Sequence, residues 1–358
     1  MIGLDAASCA RIRAGSPIPK IVVAATHTHG GPAVMPDRLS PDVDPAYLAR
    51  LEAACVQAVG EAAATALPCR LVAGTGANPG IARNRRHAGG LVDPSLAVLR
   101  LDRADGSPLA VLVAYGCHPT VLGPDNLAWT GDYPHVVRRA IEVALPGAIC
   151  LFLTGCAGDA NVGHAATASY SAISAPGRTF AEAERIGRPI AACALAAELS
   201  RAHGPTGFAT AEVTLDLAVR DTGPPQAMAE RWRQQVLAEP DKAALLAAWI
   251  RWSETAALSS RRSWTTRVSL LCWAGRLLVA LPGEPFARTS LALRQRLGAA
   301  LVLAYADDCP GYFPAEDEYA AGGYEVDDAH RYYGMPAPFS PGSAERLENV
   351  AARLTVRL

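Results

Sequence analysis

Two histidines, His27 and His29, stand one residue apart in the segment Thr26-His27-Thr28-His29-Gly30-Gly31-Pro32. In an extended backbone, residues two apart project to the same side, so both imidazoles can address one point. Neutral imidazole is a favoured zinc donor. A lone His-x-His pair is also at home as two exposed polar residues beside a Gly-Gly turn. Other reactive side chains fall at the ends of further apolar runs: His118 before Pro119, Asp159 after Gly158, Glu284 after Pro282-Gly283, and Asp307 with Asp308. Pro119 holds the backbone before it extended, which places His118 at a strand mouth, where taken alone it reads as a hydrogen-bonded, partly buried histidine. Glu284 precedes a helix whose positive end favours a carboxylate, and capping is by itself a sufficient reason for it. Taken together, three histidines and one carboxylate are what a hydrolytic zinc needs: neutral nitrogen donors, an acidic ligand and a position open to water.

A sheet is the element able to gather positions so far apart in sequence. The apolar runs Lys20 to Ala25, Leu109 to Tyr115, Ala148 to Leu153, Arg276 to Leu281 and Ala300 to Tyr305 are too short for helices and read as buried strands. Helical stretches lie between them, from Pro45 to Leu67, Pro134 to Leu145, Phe180 to His203, Pro225 to Leu258, Phe286 to Leu297 and Ser343 to Leu354. Asp44 is placed to cap the first of these, and Pro45 suits its first turn. The alternation predicts an α/β fold, a mixed β-sheet core flanked by helices. Ligands in such folds collect at the carboxyl ends of strands, where the side chains named above fall. One catalytic domain over residues 1–358 is expected, with 225–260 as a helical lid or subdomain. The stretch Gly163 to Gly177 reads as a mobile loop and Pro224-Pro225 as a linker.

Composition narrows the partner. Half the residues are apolar, 19% are charged and the net charge is −1, which offers nucleic acid no basic field and points to a small molecule. Nine cysteines, with no Cys-x-x-Cys pair, read as reduced buried thiols and not as a disulfide framework or a thiolate zinc site. No export signal and no membrane-spanning run is apparent, so a cytoplasmic setting is expected. The sequence leaves assembly into a homo-oligomer open.

The motifs Thr26-His27-Thr28-His29-Gly30-Gly31-Pro32, Asn84-Arg85, His118-Pro119-Thr120, Gly158-Asp159 and Pro282-Gly283-Glu284 occur in the order seen in neutral ceramidases, and the chain resembles the catalytic domain of that family over nearly its whole length. Neutral ceramidases are zinc-dependent amidases. The resemblance implies one zinc per chain held by His27, His118 and Glu284, with His29 and Arg85 beside the substrate. The stretch from Tyr312 to Tyr324 resembles the family's tyrosine-rich segment, which implies Tyr312 as a further zinc ligand and Tyr324 as a second active-site tyrosine. The chain departs from the family at Ala160, where a serine is usual, so a serine nucleophile is excluded there. Set against the family, a shorter N-terminal side and no C-terminal immunoglobulin-like domain are expected.

This reading implies an amide hydrolase in which zinc-activated water attacks the carbonyl and His29 moves the proton. Arg85 and Tyr324 would stabilise the oxyanion, while Asp132 and Asp159 would accept the remaining N–H of the zinc-bound histidines. Ceramide itself is not the expected substrate. Cleavage of an ester, lactone or cyclic amide at the same zinc is the alternative, as is a family member that binds a small ligand without turning it over.

Overall fold

The computed structural model describes residues 1–39, 42–169, 177–218, 224–239 and 242–358. The first half of the chain forms α1 (Ala6–Gly15), α2 (Pro45–Ala64), β1 (Arg70–Gly76), β2 (Arg83–Asn84), β3 (Leu96–Asp102), β4 (Pro108–Tyr115), α3 (Asp132–Ala144), β5 (Ile149–Thr154) and β6 (Ala160–Asn161). Next come α4 (Phe180–Leu195), β7 (Ser200–Arg201), β8 (Gly207–Asp216), α5 (Pro225–Ala238), α6 (Ala243–Glu254), β9 (Ser263–Trp273) and β10 (Arg276–Ala280). The last part supplies β11 (Glu284–Pro285), α7 (Ala287–Leu297), β12 (Leu301–Leu303), β13 (Tyr312–Phe313) and α8 (Ser343–Leu354).

Two sheets carry the architecture. Strands β5, β4, β3, β1 and β7 lie side by side in one, and β12, β10, β9 and β8 in the other. The pairs β4–β5 and β10–β12 are parallel, and the remaining neighbours are antiparallel. Alternation along each strand gives each sheet two apolar faces. Ala73, Ala97 and Ala114 of the first sheet meet Ala280, Leu301 and Leu303 of the second, and alanine lets the sheets close on each other. On its other face the first sheet packs Val98, Val113 and Phe152 against α3 and α4 through Val137, Ile186 and Ile190. The second sheet packs Val213, Leu270 and Val279 against α7 and α8 through Leu293, Leu347 and Val350. The α/β expectation therefore holds, in the form of four layers with a sheet pair inside and helices outside.

The two parallel pairs end on the same side of the sandwich. There the Ala304 N–H donates to the Thr154 carbonyl at 3.0 Å, joining the ends of β12 and β5. Lys20 to Ala25, expected as a strand, is extended but makes a single bridge, Ala24 to Ala306. It crosses between the two sheets instead of joining either, and Asp307 satisfies Val23 by donating its N–H and accepting through its side chain. The helix expected over Phe180 to His203 stops at Leu195, and Ser200–Arg201 pairs with β1 instead. Pro225 to Leu258 divides into α5 and α6, in keeping with Pro240 in the sequence between them. The Trp252 indole N–H of that hairpin donates to the Met335 carbonyl at 2.7 Å. Part of the expected Gly163 to Gly177 loop lies outside the described residues. Pro224 is the N-cap of α5 and Pro225 its first residue, and residues 219–223 before them lie outside the described residues.

All nine cysteines are free thiols, and burial pushes Cys156 and Cys309 well above the usual thiol range. No helix among the described residues is long and apolar enough to cross a membrane.

The sheet-on-sheet contact has a measurable weight. Leu99 is 1% exposed between the sheets, whereas Leu237 on α5 is 77% exposed. Leu99→Ala is expected to cost about 2–5 kcal/mol of unfolding free energy, and Leu237→Ala less than about 0.5 kcal/mol. Urea unfolding reads both, and equal effects would contradict face-to-face packing.

Candidate metal centre

His27 lies on the extended segment that crosses the open ends of both sheets. The Ala25 N–H donates to the Tyr305 carbonyl at 3.1 Å, and the Thr154 hydroxyl donates to the Thr26 carbonyl at 2.7 Å, one tether from each sheet. His27 has φ 59° and Tyr305 has φ 56°, a left-handed conformation that costs a side-chain-bearing residue roughly 1–2 kcal/mol. Their rings stack with centroids 3.9 Å apart. His118 follows β4 and is fixed by its own N–H, which donates to the Ala160 carbonyl at 2.9 Å. Glu284 follows β10 through Gly283, where φ is 55° and an added Cβ would lie 2.4 Å from the Gly311 carbonyl. That glycine lets Glu284 pair in parallel register with Tyr312.

The donor atoms converge. His27 Nε2 lies 2.8 Å from His118 Nε2 and 3.4 Å from His29 Nε2. Glu284 Oε2 lies 3.3 Å from His27 Nε2 and 3.0 Å from His118 Nε2. One ring nitrogen from each of His27, His29 and His118 falls within 4.8 Å of the other two. Zinc–ligand bonds of about 2.0–2.2 Å at tetrahedral angles put donors about 3.3–3.6 Å apart, so this set needs only small adjustment to hold an ion.

Proton placement supports the fit. The Nδ1 atoms of His27 and His118 lie 2.6 Å from the Ile2 and Ala157 carbonyls. A carbonyl only accepts, so both Nδ1 atoms carry hydrogen and their Nε2 atoms turn inward. Glu284 Oε2 is buried without a hydrogen-bond partner among the described residues. Lone pairs turned on one another in a buried site call for a cation between them. Burial, with help from His27 and Arg85, pushes His118 down to about 4. Burial alone would push Glu284 up, but His27 and His118 outweigh it and hold the carboxyl well below its usual range. Neutral imidazole beside carboxylate is the protonation pattern a metal requires.

His29 is the group the sequence assigns to proton transfer, and a free imidazole titrates at about 6.5. Burial first, then the neighbouring His27 and His118, holds it well below that value, so it is a neutral imidazole at pH 7. Arg85 is buried and donates to Glu325 Oε1 at 2.8 Å and to the Tyr312 hydroxyl at 3.0 Å. Burial opposes its charge, but Tyr312, Glu325 and Glu284 raise its pKa well above the ordinary value. The structure thus pairs Tyr312 with Arg85. The hydroxyl bonded to Glu284 belongs to Tyr333, which donates to Oε1. Tyr324 stands edge-on to Tyr312, with centroids 5.9 Å apart.

Asp132 and Asp159 take other partners than expected. The carbonyls of Ile2 and Ala157, not these carboxylates, accept from the Nδ1 atoms of His27 and His118. Asp132 accepts from the backbone of Leu122 and Tyr133 and so fixes the start of α3. Asp159 accepts from the Ala287 N–H at 2.8 Å and from Asn84 at 3.1 Å, and its own carbonyl accepts from the Arg85 N–H. It therefore docks the Asn84-Arg85 turn onto the start of α7, and burial pushes its carboxyl up to about 6. Tyr305, Glu325 and Tyr333 escape sequence reasoning. No motif marks them, although Tyr333 follows closely on the tyrosine-rich stretch.

No family model and no curated protein matches the chain by sequence. In structure it is similar to the neutral ceramidase of Pseudomonas aeruginosa, with a TM-score of 0.73 and 16% identity over 99% of this chain and 65% of that one. The chain has the fold of neutral ceramidase. A ceramidase complexed with C2 superposes with a TM-score of 0.70 and 16% identity, over 99% of this chain and 66% of that chain. The chain thus spans about two thirds of the ceramidases it matches. At this identity the likeness is one of ceramidase fold.

The donor set is testable by metal content. His118→Ala and Glu284→Ala are expected to lose stoichiometric zinc by elemental analysis, and retention in both would rule the set out. The His118 shift carries a pH signature in metal-free protein. The unfolded chain takes up a proton near pH 6.5 while folded His118 resists it down to about 4. Stability therefore falls as pH drops from 6.5 towards 4. Urea midpoints taken with chelator present should show this slope, and His118→Gln should flatten it.

Proposed function

We propose that the chain is a zinc-dependent hydrolase that cleaves the amide bond of a small N-acyl compound. The observation carrying this reading is the buried convergence of His27 Nε2, His118 Nε2 and the unpartnered Glu284 Oε2 where both sheets end. The ceramidase-like fold supports an amidohydrolase class. His27, His118 and Glu284 would hold the metal, while Tyr312, which accepts from Arg85, stands beside them as a phenol. A bound zinc supplies Lewis acidity and makes water nucleophilic near neutrality.

The remaining steps belong to the chain's own residues. Ala160 is fully buried and has no hydroxyl, so the nucleophile is not supplied at that position. Arg85, oriented by Glu325, presents a fixed positive charge towards the centre, suited to negative charge developing on the carbonyl oxygen. Burial, and then the charge of Glu284, keeps Tyr312 protonated well above the usual phenol range, so it can donate beside Arg85. His29, being neutral, has a nitrogen free to take a proton. A groove of about 580 Å³ opens beside Gly30 and Gly31, next in sequence to His29, and is walled by Tyr47, Trp129 and Phe180; the metal-centre side chains do not line it.

The position of His29, close enough to serve as a third nitrogen ligand, favours a second assignment of that one residue. His29→Gln separates the two roles. As proton acceptor, its loss lowers kcat about 10²–10⁴-fold with zinc content intact; as ligand, its loss removes the zinc. For the reaction, a mass-spectrometric screen of amide and ester libraries with and without chelator is decisive. Chelator-sensitive turnover of amides is expected. Preference for esters or lactones would reassign the bond class, and turnover indifferent to verified metal removal would refute the mechanism.

A further inference from the structure

A buried carboxylate has two chemically equal oxygens, and something must decide which one faces the metal. In Glu284 they are treated differently. Oε1 accepts from the Tyr333 hydroxyl, whereas Oε2 faces His27 and His118 and has no hydrogen-bond donor among the described residues. Tyr333 is itself 3% exposed.

The segment bearing Tyr333 is pinned from both sides. The Leu39 N–H donates to the Tyr332 carbonyl at 2.5 Å, and the Met335 N–H donates to the His330 carbonyl at 3.0 Å. The Trp252 indole holds the Met335 carbonyl at 2.7 Å. Gly334 has φ 60°, and an added Cβ there would lie 2.6 Å from the Asp37 carbonyl, so the turn after Tyr333 admits no ordinary side chain. Arg331 rests against the rings of Trp232, Trp249 and Trp252 at 5.4, 4.6 and 5.5 Å, which fastens the same segment to the α5–α6 hairpin. A hydroxyl held this firmly can impose an orientation on its acceptor, whereas a mobile one would follow it.

We propose that Tyr333 is a positioning residue that commits Glu284 to one-oxygen metal binding, occupying Oε1 and turning Oε2 towards the histidines. The assignment rests on the metal-centre reading above. Partners standing behind a metal ligand typically set its affinity by about 10–100-fold. Without the hydroxyl, Oε1 is released, and the carboxylate is free to rotate or to present both oxygens.

The test uses the metal-free full chain, titrated with zinc against a chromophoric chelator and then loaded with cobalt(II) as a spectroscopic probe. Tyr333→Phe is expected to weaken zinc binding about 10–100-fold and to change the visible cobalt spectrum. Tyr319→Phe is the control, since that hydroxyl bonds the Phe339 and Ser340 carbonyls and should leave both readouts at wild-type values. Wild-type affinity together with a wild-type cobalt spectrum in Tyr333→Phe overturns the proposal. Absence of zinc binding in the wild-type chain would instead overturn the metal-centre reading itself. Should Tyr333→Phe not fold, Trp252→Phe, which frees the Met335 carbonyl, must also weaken zinc binding; unchanged affinity there overturns the proposal equally.

Discussion

Two imidazole nitrogens face each other at 2.8 Å with a carboxylate oxygen beside them, all nearly shut off from water. Contacts among its own members do not account for such a cluster, because it leaves a carboxylate oxygen buried without a hydrogen-bond partner among the described residues. The surrounding fold has to impose it. The His27 and His118 rings are held from behind by backbone carbonyls, Glu284 is held by a tyrosine, and the His27 segment is tied to both sheets. Left-handed backbone at His27 and Tyr305 is local strain maintained for the same end.

Charge beyond the ligands is equally constrained. Glu325 bridges Arg85 and Arg86, and Glu318 pairs with Arg86 and lies 2.8 Å from His87 Nε2, so ion pairs of the two arginines bind the turn after β2 to the tyrosine-bearing segment. Those pairs orient Arg85 in advance, and an oriented buried cation interacts strongly with any charge appearing near it. Asp159 works from the other side, joining that turn to the first residues of α7. Two motifs far apart in sequence, Asn84-Arg85 and Gly158-Asp159, are thus halves of one joint.

Much of this arrangement could be read from residue order, for a definite reason. The strands that deliver the chemistry, β4, β5, β10 and β12, are apolar almost from end to end, β12 fully buried and β5 with Ile149 and Leu151 left exposed. They appear as unbroken apolar runs, and the polar residue ending each run is conspicuous: His118, Asp159, Glu284 and Asp307. Strands β1, β3, β8 and β9 went unrecognised. In β8, exposed and buried residues alternate, and β1 carries two glycines, so neither forms an unbroken apolar run. The parts of the centre invisible in sequence are those made by backbone. No residue type announces that the Ile2 and Ala157 carbonyls will accept from the histidines, and so Asp132 and Asp159 were given that work. Tyr333 was hidden for another reason, since its partner is fixed by a turn at Gly334 and by an indole from a helix remote in sequence.

The alanines between the sheets acquire a meaning beyond packing. His118 hangs from the end of one sheet and Glu284 from the end of the other, so the gap between these two donors is a reading of how thick the sandwich is. Ala114 and Ala280 sit in that seam, on the very strands that carry His118 and Glu284. A bulkier side chain at either position would act as a shim, parting the sheets and spreading the donors together. The centre behaves as a caliper closed on the interior of the protein, and the smallest side chains in the core set its jaws.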